Sequence, residues 1–182
     1  AKLVMIDTQK DSFEMDYDNL LTVLDLGNIK LRAAERNERE PLVIIGGPCA
    51  TFNPEPLAAV ADAFVIGEGE DTVQRILDVI YAASSKAERL AQLAQLPGVY
   101  VPSFYEAHYH EDGSFAHLTV REGCAAPATI RRQWVREIDN YPHTTAVMTS
   151  GTEFEDMYIV EVARGCGRHC RFCMAGYCFR KP

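Results

Sequence analysis

Apolar positions along the chain fall into short continuous runs, and the stretches between them carry apolar residues at helical spacing. Lys2 to Ile6 is the first run and predicts a strand. Leu20, Leu21, Val23, Leu24 and Leu26 follow at helical spacing, with Asp16 or Asp18 placed to cap that helix and Gly27 to close it. Residues Lys30 to Glu40 are charged and weakly patterned, and predict an exposed loop. Leu42 to Ile45 predicts a second strand, ending in Gly46-Gly47-Pro48. Asn53 suits a cap and Pro54 a first helical position, so a helix is expected over Glu55 to Ala61. Ala63 to Ile66 predicts a third strand, which runs into Gly67-Glu68-Gly69-Glu70. Glu70 to Ala83 carries Val73, Ile76, Leu77 and Ile80 on one helical face, and Lys86 to Leu96 is a further amphipathic helix stopped by Pro97-Gly98.

Strand and helix alternating in this way predict an α/β fold with a Rossmann-like parallel sheet, partial and doubly wound. In such sheets ligands sit beyond the carboxyl ends of the strands. Gly46, Gly47, Gly67, Glu68 and Gly69 fall there and are candidate cofactor-binding residues. The alternative is that the glycines only permit tight strand-to-helix turns, and neither group matches a dinucleotide fingerprint.

Pro97 marks a change of composition. Val99 to Tyr109 and Ser114 to Val120 alternate apolar with polar residues around Glu111-Asp112-Gly113, the pattern of a β-hairpin. His108 and His110 share one face of that hairpin, where a solvated surface is the expectation. The connector Ala125 to Asn140 holds the only tryptophan, Trp134, which is expected to pack against its neighbours. Pro142 to Thr152 reads as a polar linker.

The last apolar run, Met157 to Val162, predicts a buried strand that delivers a cysteine-rich loop. Cys166, Cys170 and Cys173 form CxxxCxxC there, and with Cys178 they account for four of the six cysteines. Thiolates three and four residues apart on a tight loop can converge on a soft-metal centre, which a straight strand or helix would not allow. Three ligands leave one iron of a four-iron cluster open to an outside molecule. The competing reading closes a structural zinc site with Cys178, although the usual paired CxxC knuckles are missing. Arg164, Arg168, Arg171, Arg180 and Lys181 put positive charge around the loop, either favouring thiolates and an anionic cluster or forming a solvated basic rim.

Composition narrows the functional classes. The chain has 182 residues, 47% hydrophobic and 24% charged, as in ordinary globular proteins. Without a long apolar span or a basic-then-apolar leader, a membrane location is not expected and a reducing cytoplasm is. A net charge of −8 argues against a broad nucleic-acid surface.

The aromatic residue Phe172 inside the cysteine motif makes it CxxxCx(aromatic)C, which resembles the signature of the radical S-adenosylmethionine superfamily. That resemblance implies a [4Fe-4S] cluster on Cys166, Cys170 and Cys173 at the first strand of a partial barrel, with Phe172 beside the cluster and cofactor. It further implies S-adenosylmethionine as the molecule on the open iron, its reductive cleavage to a 5′-deoxyadenosyl radical, and a reductant such as a flavodoxin or ferredoxin. Upstream, Phe13-Glu14-Met15-Asp16-Tyr17-Asp18-Asn19-Leu20-Leu21, Leu42 to Pro48, Asn53-Pro54-Glu55-Pro56 and Gly67-Glu68-Gly69-Glu70 are similar to the later half of a cobalamin-binding-like domain in an uncharacterised bacterial branch of the superfamily. Cobalamin would be a cofactor of that domain, but no Asp-x-His-x-x-Gly run occurs here to supply the lower cobalt ligand. The expected organisation is a partial cobalamin-binding-like domain over 1–96, a β-containing connector over 97–156, and the start of the radical core over 157–182. Enzymes of this kind continue beyond the cysteine loop, so the chain is expected to be a fragment that does not turn over alone and that self-associates through open sheet edges.

Overall fold

The computed structural model describes residues 2–7, 15–148, 150–151 and 156–178, with the side chains of 15, 16, 177 and 178 left out. The predicted Phe13-Glu14 pair and the basic residues Arg180 and Lys181 lie outside the described residues. The chain divides into two compact units, Ala1–Val135 and Arg136–Pro182.

The first unit is built on four strands in the order β1 (Leu3–Asp7), β2 (Leu42–Gly46), β3 (Ala63–Val65) and β4 (Val99–Tyr100). β1 runs parallel to β2 and β2 to β3, while β4 is antiparallel to β3. The fold is therefore α/β with a mixed, mostly parallel sheet, consistent with a partial Rossmann-like fold. An unbroken apolar run such as Leu42-Val43-Ile44-Ile45 is what a strand covered on both faces needs. Alternate residues supply the two faces. Val43, Ile45 and Phe64 pack with Leu20 and Leu24 of α1 (Met15–Leu26) and with Leu57 and Ala61. Leu42, Ile44, Ala63 and Val65 pack with Ile76 and Ile80 of α3 (Glu70–Ala82) and Leu93 of α4 (Lys86–Leu93). The helical residues recur at i and i+4, so each helix buries one stripe. Along the four strands the order never reverses, so the described sheet holds no topological switch point of the kind at which doubly wound folds place ligands.

Several local expectations are corrected. α1 covers Met15–Leu26 among the described residues, so Asp16 and Asp18 lie within the helix rather than at its cap. Its end turns at Asn28, with φ 51°, one residue after Gly27; the Ile29 and Asn28 amides donate to Leu24 O and Asp25 O, a Schellman arrangement. The helix expected over Glu55 to Ala61 is a single 3₁₀ turn, Glu55–Leu57, preceded by α2 (Gly47–Phe52). Pro54 and Pro56 remove amide donors a longer helix needs, and Asn53 caps the end of α2 while its side chain accepts the Glu55 amide at 3.2 Å.

Val99 and Tyr100 join the main sheet as β4, and a 3₁₀ turn at Pro102–Phe104 separates them from the hairpin of β5 (Tyr105–Tyr109) and β6 (Phe115–Val120). In that hairpin His108 stands opposite His117, ring centroids 4.8 Å apart, and His110 lies past the strand end; the histidines that meet are thus a cross-strand pair. Trp134 is 47% exposed and lies under the Arg132 guanidinium, 4.1 Å from its ring, in place of the expected packing.

The charged stretch 30–40 is the largest departure. Arg36 is 4% exposed and Asp62, just before β3, is also 4% exposed. Arg36 Nη2 lies 2.8 Å from Asp62 Oδ2 and Lys86 Nζ lies 2.9 Å from Asp62 Oδ1. The Val43 amide donates to Asp62 Oδ2 at 2.8 Å, and Arg36 also donates to the carbonyls of Lys30, Leu31 and Val60. A charge that costs several kcal/mol to desolvate is tolerated only with such a full complement of partners. The loop is consequently anchored through the sheet, which polarity alone did not predict.

In the second unit the run Met157 to Val162 forms one bridge, Thr144 to Val160, in place of a buried strand, and its apolar side chains are exposed. The Thr145 and Glu161 amides donate to Ile159 O and His143 O, and Arg164 grips Glu161 with two hydrogen bonds of 2.8 Å.

Candidate metal loop and glycine-rich strand ends

The cysteine loop belongs to the second unit. Gly165, at φ 100°, turns the chain into it, a conformation that L side chains rarely adopt. Cys166 Sγ accepts the Arg168 amide at 3.4 Å, and the Cys173 amide closes the loop on Cys170 O at 3.0 Å. α5 (Ala175–Cys178) follows, with Ala175 and Gly176 buried. A Cβ on Gly176 would collide with the Arg168 carbonyl, so the loop folds back over this helix only because the position is glycine. Sequence reading passed over Gly176, although a glycine just beyond the last motif cysteine was the visible signal.

Cys166, Cys170 and Cys173 are partly buried free thiols, while Phe172 is 92% exposed. Among the described residues no three His, Cys, Asp or Glu side chains gather closely enough to hold a metal ion. The loop thus carries the three thiols without drawing them together. The Cys178 side chain lies outside the described residues. As a donor set, three soft thiols on one glycine-turned loop, one already receiving a backbone hydrogen bond at sulfur, fit an iron–sulfur cluster: such bonds tune cluster potential.

The glycine groups occupy the carboxyl ends of β2 and β3 in the first unit. Gly47 (φ 89°) and Gly67 (φ 103°) adopt positive φ. The Thr51 hydroxyl joins the two ends, donating to Gly47 O and accepting from the Gly67 amide, each at 3.0 Å. Residues 131–135 then run across β3's exit. Gln133 bridges Gly67, its amide donates to Ile66 O at 3.0 Å, and its carbonyl accepts the Glu68 amide at 3.1 Å. The Val135 amide donates to Glu68 Oε2 at 2.6 Å. A Cβ on Gly67 would stand 2.6 Å from Gln133 N. Gly69 caps α3, its carbonyl accepting the Val73 amide. Gly67 and Glu68 therefore serve this chain's own strap in the described structure, a partner that local sequence spacing gives no means of finding.

Beside these ends, Tyr100 is buried and its hydroxyl donates to Glu55 Oε1 at 2.7 Å. Burial first, and the Glu55 carboxylate second, push the Tyr100 hydroxyl far above its ordinary pKa. Tyr17 is raised as well, by burial and by nearby Cys49, and donates to Asn53 O. Pro54, Glu55, Ile66, Tyr100 and Tyr105 help line a cleft of about 380 Å³. Among the described residues no helix is long and apolar enough to cross a membrane.

An α/β unit followed by a unit carrying a three-thiol loop is the class these features define. A family model described as radical SAM proteins, N-terminal, matches residues 8–102, and the chain belongs to that family. It is also 23% identical over 172 residues to an uncharacterised protein of Methanocaldococcus jannaschii, an alignment covering 93% of this chain and 30% of that relative. The chain spans about a third of that relative's length.

Proposed function

We propose that the chain is the N-terminal part of a radical S-adenosylmethionine enzyme in which Cys166, Cys170 and Cys173 hold a [4Fe-4S] cluster. The observation that carries the reading is the CxxxCx(aromatic)C loop occurring within a chain of the radical SAM N-terminal family. When bound, the cluster would supply reductive cleavage of S-adenosylmethionine to a 5′-deoxyadenosyl radical, with electrons from a flavodoxin or ferredoxin in a reducing cytoplasm. The chain's own residues do the binding and positioning. Gly165 and Gly176 set the loop's path, the Arg168 amide steadies one sulfur, and the exposed Phe172 would offer an aromatic face to the cofactor. The 1–96 region would be a cobalamin-binding-like domain, as in a bacterial branch of the superfamily, joined through 97–156 to a radical core beginning at 157. Without an Asp-x-His-x-x-Gly run, no cobalt ligand of that kind is assigned to it.

Anaerobic reconstitution of the full chain with iron and sulfide, followed by metal analysis and electron paramagnetic resonance, tests the reading. We expect about four irons per chain, a reduced signal that S-adenosylmethionine alters, and loss of both in Cys170→Ala. Stoichiometric zinc with no iron uptake would instead assign the loop, with Cys178, to a structural zinc site.

A further inference from the structure

We propose that the first unit binds a phosphate monoester in a cleft bounded by the turns that lead into β2 and β3 and by the hairpin. The cleft holds about 580 Å³, within the range of small-molecule sites. Its walls come from the turn before β2, the turn before β3, the start of α4 and the hairpin. Alanines at 33, 34, 58, 59 and 61 leave the space that larger side chains would fill.

Charge selects the ligand. The chain as a whole carries −8, yet four cations line this cleft, Arg32, Arg36, Lys86 and Arg121, against two carboxylates, Glu55 and Asp62. Asp62 is occupied by Arg36 and Lys86. Arg36 is spent on Asp62 and on carbonyls, and Lys86 donates to Ala33 O and Arg36 O as well. Two guanidinium groups remain. Arg32 has no side-chain partner among the described residues, and there the Arg121 side chain makes one hydrogen bond, from Nε to Tyr105 O at 2.9 Å. Guanidinium forks match phosphate oxygens in pairs. The Ser103 hydroxyl on the same wall, also without a partner among the described residues, adds a neutral donor. Tyr105 lines the cleft beside them and offers an aromatic edge to an organic substituent on the ester.

Titration of the full chain with inorganic phosphate and with phenyl phosphate, read by calorimetry at constant ionic strength, tests the site. Saturable binding of both is expected, tighter for the ester, with Arg32→Gln and Arg121→Gln each weakening it about tenfold, the scale of one lost charged hydrogen bond. Arg32→Gln removes no hydrogen bond or ion pair among the described residues, so an unchanged melting temperature shows that the loss is at the site. No saturable binding, equal binding by the variants, or a response matched by sodium chloride would overturn the proposal. Binding of a single-stranded oligonucleotide but of neither phosphate probe would overturn it too, since that signature belongs to a phosphodiester backbone.

Discussion

At the scale of single residues, Tyr100 and Gly67 show what packing imposes. The buried Tyr100 hydroxyl is held neutral, so its folded pKa lies above the unfolded value. The associated stabilisation is complete below the unfolded tyrosine pKa, about 10, and falls away as the pH climbs beyond it, because only the unfolded chain then ionises freely. Denaturant melts at about pH 8 and about pH 11 should show a steeper alkaline loss for wild type than for Tyr100→Phe. At pH 8 the variant should lose about 1 kcal/mol with its bond to the exposed Glu55, and equal alkaline slopes would contradict the account. Gly67→Ala meets both a positive φ and the Gln133 backbone. A loss of about 1–3 kcal/mol is expected, together with faster amide exchange at Gln133 and Val135 if the strap is pushed off. Glu40 and Asp112 work in the opposite pH sense: the Asn37 amide and the Ser114 hydroxyl hold them below their usual range. Their contribution is present at neutral pH and lost as acid protonates them in the fold.

At the scale of elements, the parts whose apolar pattern is one-dimensional were legible. Leu42 to Ile45, the 70–82 helix and the hairpin turn at Gly113 follow from runs, helical spacing and a turn residue, each a local property. What was not legible depends on distant partners. Nothing within ten residues of Arg36 indicates that its guanidinium reaches Asp62, 26 positions away, or that Lys86 completes the pair. The tell-tale was Asp62 itself, a carboxylate set against the start of an apolar strand. Likewise the strap that packs on Gly67 comes 66 residues later, beyond the reach of local spacing. For the ion cluster the prediction is asymmetric. Asp62→Asn should cost about 3–5 kcal/mol, since it leaves Arg36 buried without its counter-ion. Replacing both Arg36 and Asp62 by apolar residues of similar volume should cost much less, and a double mutant as unstable as the single one would refute this. The cysteine motif was legible as a donor set because its spacing is local. How close the three thiols stand was not, since that is a property of loop closure.

At the scale of the whole molecule, the two units differ in what holds them. The first contains both apolar clusters, with Phe64, Ile76 and Leu93 fully buried, and burial of each such side chain contributes about 1.5–3 kcal/mol. In the second, Met157, Tyr158, Ile159 and Val160 are about half exposed, Val162 is almost wholly so, and the run is tied down among the described residues by the Thr144–Val160 bridge and by Glu161 pairing with Arg164 and His143. Local opening is governed by such differences in buried apolar contact. Hydrogen exchange should therefore separate them: amides of β2, β3 and α3 exchange only through global unfolding, while those of 157–174 exchange orders of magnitude faster. The same exposed run and the edge of β1, which no strand among the described residues covers, predict concentration-dependent self-association. Gel filtration should show a rising apparent mass with loading, reduced when Met5, 39% exposed on β1, becomes lysine. If iron reconstitution slows exchange in 157–174 and leaves β2 unchanged, cluster binding is what orders the thiol loop. Slow exchange there before iron is added would mean that the loop is preformed, and the separation of the three thiols would then count against a cluster.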